Sequence, residues 1–281
     1  MNTLKTVILM ALLTAILVLL GAVFGGETGL VVMLAVSLLM NVGSYWFSDS
    51  IVLKMYSARE VSYEEEPELY RLVNNLAAKA DLPMPKLCII DSPAPNAFAT
   101  GRNPSHAAVA VTTGIRQALD QDELAGVIAH ELSHIKHRDT LISTVAACIA
   151  GSISALAQWL VFFNSDDDEG PGIVVTILTL IIAPFAAMLI QMAISRSREY
   201  SADESGGEIC GNPLFLARAL QKIEYFAQNQ KPLATATNAT AHMCIINPFT
   251  SGKLVQLFST HPATAERIQL LEEQAKKLGN K

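Results

Sequence analysis

Apolar positions gather into four uncharged runs, 6–24, 29–47, 141–163 and 173–195, and the chain between and after them returns to mixed polar and apolar residues. The first two runs are nineteen residues each, about 28 Å as helices, which matches the thickness of a hydrocarbon core. Only Gly25-Gly26-Glu27-Thr28 separates them, so they predict a transmembrane hairpin. Lys5 gives the first run the basic start of a cleaved signal peptide, but its apolar part is too long for one and a second run follows at once. The third and fourth runs predict a second hairpin, in which Pro184 can kink a helix without ending it.

The polar stretches carry shorter periodicities. Pro67 starts a predicted helix through Lys79, with Leu69, Leu72, Val73, Leu76 and Ala77 at helical spacing. Segments 86–91 and 107–112 are short, rich in branched residues and bounded by Pro and Gly, and they predict a small sheet of two strands. Asp120, with Glu123 three residues on, has the form of a helix cap, and Leu124, Val127, Ile128 and Leu132 supply an apolar stripe for a helix over 120–138. Beyond the fourth run come a helix over 213–228, an aperiodic stretch over 235–252 expected to be a mobile loop, and a helix over 262–278 stopped by Gly279.

With 51% hydrophobic and 16% charged residues, the composition is too apolar for an ordinary soluble domain and implies a partnership with the lipid bilayer. The net charge of -6 and the lack of a basic block exclude a nucleic-acid partner. Lys136 and Arg138 precede the third run, Arg196 and Arg198 follow the fourth, and the connector 164–172 is acidic. Basic flanks stay on the cytoplasmic side, so both termini and both polar segments are expected there. The expected division is a hairpin over 1–47, a polar part over 48–140, a second hairpin over 141–195 and a second polar part over 196–281. Cys88, Cys148, Cys210 and Cys244 form no C-x-x-C pair and read as small buried residues.

The helix over 120–138 carries His130-Glu131-Leu132-Ser133-His134. Histidines four residues apart leave one helix face and can reach one ion, while the glutamate between them points beside it, where it can act as general base. The bland alternative is a polar helix face that happens to bear histidines. A catalytic zinc takes three protein ligands and keeps an open position. The pattern H-E-x-x-H-x-x-G-x-x-H is excluded, because positions 137 and 140 hold His137 and Thr140. The best remaining donor is Glu199, which an antiparallel hairpin of the third and fourth runs brings back to the histidines; pairing with Arg196 or Arg198 at the headgroups is its alternative. Asp203 lies one turn further on and can accept the free N–H of a ligating histidine. His137 falls beside Lys136 and Arg138 and is expected to face headgroups.

These motifs, with Asn96-Ala97-Phe98-Ala99-Thr100-Gly101 and the later Ser259-Thr260-His261-Pro262 and Arg267, resemble the HtpX-like membrane zinc endopeptidases, a family that also includes the CAAX prenyl proteases. The resemblance implies a mainly α membrane protein: four transmembrane helices and a cytoplasmic, gluzincin-like α+β zinc protease domain with a small sheet. It implies one Zn2+ per chain, held by His130, His134 and Glu199. It also implies polypeptide substrates, misfolded or damaged membrane proteins cleaved in a stress response at the cytoplasmic face of the inner membrane. An edge strand near 96–100 would hold an extended substrate, with Asn96 clamping a carbonyl unless it only forms an Asx turn. His261 and Arg267 would lie near the site and stabilise the oxyanion, although locally they read as a helix start and a solvated helical residue. A prenyl-type processing protease and a transporter with an incidental H-E-x-x-H are the alternatives; the four runs hold no acidic, basic or histidine residue, which disfavours transport.

Overall fold

The structure is a computed structural model and describes residues 2–145, 196–229, 245 and 262–279. It is mostly helical, with one small mixed sheet. Helix α1, Asn2–Met55, is broken at Gly26, where φ 59 and ψ -145 suit only a residue without Cβ. The chain folds back there into two arms. Asn41 Nδ2 donates to Thr14 Oγ1 at 2.8 Å across the arms, and Gly21 and Gly29 approach so closely that neither could carry a methyl group. Leu30, Val31, Leu34, Leu38 and Val42 on the second arm remain exposed, as they would against lipid. Among the described residues, Gly25–Phe47 is long and apolar enough to cross a membrane, and the first arm contains the shorter apolar helix Thr6–Leu19. The third and fourth runs and their acidic connector lie outside the described residues, except for helical residues at 141–145.

Four strands follow where the sequence pattern predicts two. They are β1, Arg59–Glu60; β2, Lys86–Ile90; β3, Ala97–Asn103; and β4, His106–Thr112, in spatial order β1-β2-β4-β3. β2 and β4 are parallel, and β3 pairs antiparallel with β4 from Ala97↔Val111 to Asn103↔His106, with an irregularity at Gly101/Asn103. Alternation along β4 serves both faces of the sheet. Ala107, Val109 and Val111 join the main core, whereas Ala108 and Ala110 meet Val52 and Tyr56 from the end of α1, with Phe98, Cys88 and Ile90. With both faces covered, the strand reads as an unbroken apolar run rather than an alternating one.

Six helices complete the described fold: α2, Pro67–Lys79; α3, Thr113–Ala118; α4, Gln121–Lys136; α5, Arg196–Cys210; α6, Pro213–Asn229; and α7, Thr264–Leu278. Gly279, left-handed at φ 73, ends α7 where the sequence places its stop. Of the cysteines, Cys88 is buried beneath the sheet, and its thiol is pushed up to about 11 by burial and by the charge of Glu60; Cys210 is half-buried against the main core.

Candidate metal centre

Helix α4 is fixed before it is functional. Asp120 Oδ1 accepts from Glu123 N at 2.9 Å and Glu123 Oε2 accepts from Asp120 N at 3.0 Å, a reciprocal cap that satisfies two of the free N–H groups at the helix start. Glu123 is itself buried, and Lys222 from α6 reaches its carboxylate at 2.6 Å. Most of α4 is buried, between the sheet on one side and α5 and α6 on the other. The fourfold spacing then does what helical geometry demands: His130 Nε2 and His134 Nε2 converge to 3.2 Å, with the rings edge to face at 88°.

Helix α5 crosses α4 at Gly206, where an added Cβ would lie 3.0 Å from the backbone of His130. That close approach sets Asp203 and Glu199, successive turns earlier in α5, above the histidines. Glu199 Oε2 is 3.7 Å from His130 Nε2, and Glu199 Oε1 is 3.6 Å from His134 Nε2. One ligand atom from each of His130, His134 and Glu199 falls within 4.8 Å of the others, so two imidazole nitrogens and a carboxylate face one point. The far nitrogens are backed by carboxylates. His130 Nδ1 lies 2.9 Å from Asp203 Oδ1, close in distance but not aligned as a hydrogen bond, and His134 Nδ1 is hydrogen-bonded to Asp139 Oδ2 at 3.2 Å.

Charge is concentrated here under burial. Burial would raise the Asp203 carboxyl, but the charge of Arg267 and its paired hydrogen bonds, with help from His130, hold it below the usual range. Burial lowers the His134 imidazole, yet the bond to Asp139 and the charges of Glu199 and Glu131 outweigh it and push the ring up to about 9. Glu131 is raised: burial disfavours its charge, the neighbouring histidines only partly compensate, and Glu199 adds repulsion. Its Oε2 accepts the N–H of Ala99 at 2.8 Å, so the edge strand β3 orients the carboxylate between the histidines.

Arg267 corrects its local reading as a solvated residue. It is 2% exposed, donating from Nε and Nη2 to the two oxygens of Asp203 at 2.8 and 2.7 Å, with Nη1 3.7 Å from Glu199 Oε2. Such a fork positions Asp203 and takes a buried carboxylate out of debt to solvent. Asn96 is also buried, and its Oδ1 accepts from Ile245 N at 3.2 Å, while Ile245 O accepts from Arg267 Nη1 at 3.3 Å. His137, expected at headgroups, meets Ser205 Oγ at 3.3 Å on α5. His261 and most of 235–252 lie outside the described residues. Sequence reasoning missed the contacts that Asp139 and Ala99 make with the two ends of the motif.

The donor set suits a divalent cation of zinc type: two nitrogens and a carboxylate, with Asp203 and Asp139 behind the two rings and Arg267 3.7 Å from Glu199. A helix-borne H-E-x-x-H faced by a carboxylate from a second helix defines the centre of a metallopeptidase. The sequence profile described as peptidase family M48 matches residues 63–275, and the chain belongs to that family. The chain is 53% identical over 280 residues to a Protease HtpX homolog of Pyrococcus furiosus, covering 98% of this chain and 96% of that one. It is 49% identical over 287 residues to a Protease HtpX homolog of Persephonella marina, covering 100% of both. A crystal structure of S. mikatae Ste24p superposes at a TM-score of 0.49 with 18% identity, over 86% of this chain and 57% of that one. The family match and the HtpX relatives, together with an apolar helix long enough to cross a bilayer, make the protein a membrane metalloprotease.

Proposed function

We propose that this chain is a zinc endopeptidase that cuts polypeptides at the cytoplasmic face of the inner membrane and removes misfolded or damaged membrane proteins under stress. His130, His134 and Glu199 would hold one zinc ion, with Asp203 supporting His130. The observation that carries this reading is the convergence of those three donors beside a buried carboxylate that is not one of them. When bound, zinc supplies polarisation of the scissile carbonyl and a water acidic enough to be deprotonated near neutral pH. Glu131, raised by burial, is suited to take that proton on Oε1 or Oε2 and to return it to the leaving amine. Arg267 keeps Asp203 ionised 2.9 Å from His130 Nδ1.

An extended substrate would lie along β3, whose outer side faces the motif helix. Two N–H groups of that side are already used, Ala99 by Glu131 and Gly101 by Thr144 Oγ1 at 3.4 Å, so peptide pairing there competes with contacts inside the protein. Such backbone pairing selects extended conformation rather than sequence, which suits a protease of damaged chains. The division into hairpins at 1–47 and 141–195 and polar parts at 48–140 and 196–281 is part of the proposal, as is the placing of both termini in the cytoplasm.

Detergent-purified protein incubated with an unfolded polypeptide is expected to cleave it with zinc and to stop with a chelator; cleavage indifferent to both would remove the metal mechanism. Orientation is read separately. A cysteine placed in 164–172 is expected to be labelled from outside intact cells by an impermeant reagent, and a reporter after Lys281 is expected to be cytoplasmic. Labelling within 48–140 instead would invert the topology.

A further inference from the structure

The second histidine of the pair is held by a residue beyond the end of the helix that carries it. α4 stops at Lys136, Arg138 takes the left-handed conformation at φ 58, and the N–H of Asp139 returns to the carbonyl of His134 at 2.9 Å. This turn brings the Asp139 carboxylate, 4% exposed as a residue, to 3.2 Å from His134 Nδ1. The carbonyl of the same residue accepts from Ser143 N at 3.4 Å, which makes Asp139 the start of the helix at 140–145, whose residues from 141 are the first of the third apolar run. From the other side Arg198, half-buried in the first turn of α5, interacts by charge with Asp139 and Glu199.

The arrangement repeats a motif already present. On one side stand a ring nitrogen of His130 and the buried carboxylate of Asp203; on the other stand a ring nitrogen of His134 and the buried carboxylate of Asp139. The two sets differ in what they are attached to. Asp203 comes from α5, inside the polar fold, whereas Asp139 begins the helix at 140–145, at the start of the third apolar run.

We propose that Asp139 is a positioning residue for the metal centre, which fixes the ring of His134 and ties it to the helix starting at 140. The inference rests on the reading of His130, His134 and Glu199 as the ligand set. A ligating imidazole must present one nitrogen to the cation and donate the other, and a buried carboxylate on the donor side sets both tautomer and ring angle. Movement of the helix at 140 would therefore be felt at Nε2 of His134, because one residue carries both contacts.

The test uses the full chain in detergent and compares Asp139→Asn and Asp139→Ser with wild type. Asn and Ser both sit well at helix starts, so the turn is kept while the charge is lost in both variants and the reach to His134 in Ser as well. Zinc affinity is measured by competition with a chromophoric chelator, and the visible spectrum of the cobalt-loaded protein reports ligand geometry. Zinc binding is expected to weaken by about tenfold for Asn and about 100-fold for Ser, with a shifted cobalt spectrum and little change in the melting of the metal-free protein. A role confined to the turn would leave affinity and spectrum alike in all three proteins, and that result overturns the proposal. If the turn variants do not fold, the 15N spectrum of the histidine-labelled, zinc-loaded wild-type chain decides: His134 is expected to carry its ring proton on Nδ1, shifted to low field as a bond to a carboxylate requires, and a His134 ring with no proton on Nδ1 overturns the proposal. Failure of the wild-type chain to bind zinc at all would fell the ligand set and this inference together, whereas equal affinity across the variants would remove this inference alone.

Discussion

Glu131→Gln is expected to lower peptide hydrolysis by about 10²- to 10⁴-fold while leaving the metal content of the protein unchanged. The amide is nearly isosteric with the carboxylate, and its oxygen can still accept the N–H of Ala99, which Glu131 Oε2 accepts at 2.8 Å. What it cannot do is take a proton. Nor does the substitution disturb the three converging donors, since Glu131 is not among them. Metal analysis and a cleavage assay on the same preparation check both halves. Loss of metal would mean that Glu131 belongs to the ligand set, and full activity would exclude it as the general base.

Glu199→Ala is expected to yield protein that is nearly metal-free and inactive even with added zinc, because it removes one of three donors around the ion. Asp203→Asn is a different kind of loss. Asp203 contacts the far nitrogen of His130 and both arms of the Arg267 fork, so its neutralisation weakens the support of a ligand without deleting one. Metal affinity or activity is expected to fall by about 10- to 100-fold, with partial recovery in excess zinc. Glu204→Ala and Glu208→Ala, from exposed positions of the same helix, serve as controls. If Glu199→Ala retained zinc while any of the other three lost it, the assignment of the third donor would fall and the histidine pair would stand.

The parts of the centre carried by regular helix were legible in the sequence, because a period of 3.6 fixes which side chains share a face. His130 with His134, and Glu199 with Asp203, are such pairs, and the cap formed by Asp120 and Glu123 marked the start of α4. Arg267 shows the same rule unheeded. It stands four residues before Leu271 and eight before Ala275, both buried, so the periodicity of α7 already placed it on the inward stripe. Asp139 was not legible, since it follows a left-handed residue past the end of α4 and no helical spacing extends through such a turn. β3 was expected only from the family resemblance and escaped the residue pattern: Ala-Phe-Ala-Thr-Gly-Arg-Asn has few branched residues, and its strand character comes from pairing with β4. The salt bridge of Lys222 to Glu123 joins residues of separate helices, and only packing reveals it.

The end of α1 does more than close the lower face of the sheet. Tyr56 stacks on Phe98 with ring centroids 4.8 Å apart, next to the Ala99 that holds Glu131, and Arg102 at the far end of β3 lies 4.8 Å above the ring of Trp46. The second arm of the hairpin therefore reaches the strand that holds the base through packed side chains, with no slack chain between them. Under the proposed topology, a blade mounted this way would have a fixed working height above the bilayer instead of a radius of swing. Chains anchored in the same membrane would then be delivered to that height at high effective concentration, while a folded protein in solution would have to bring an open segment down to it.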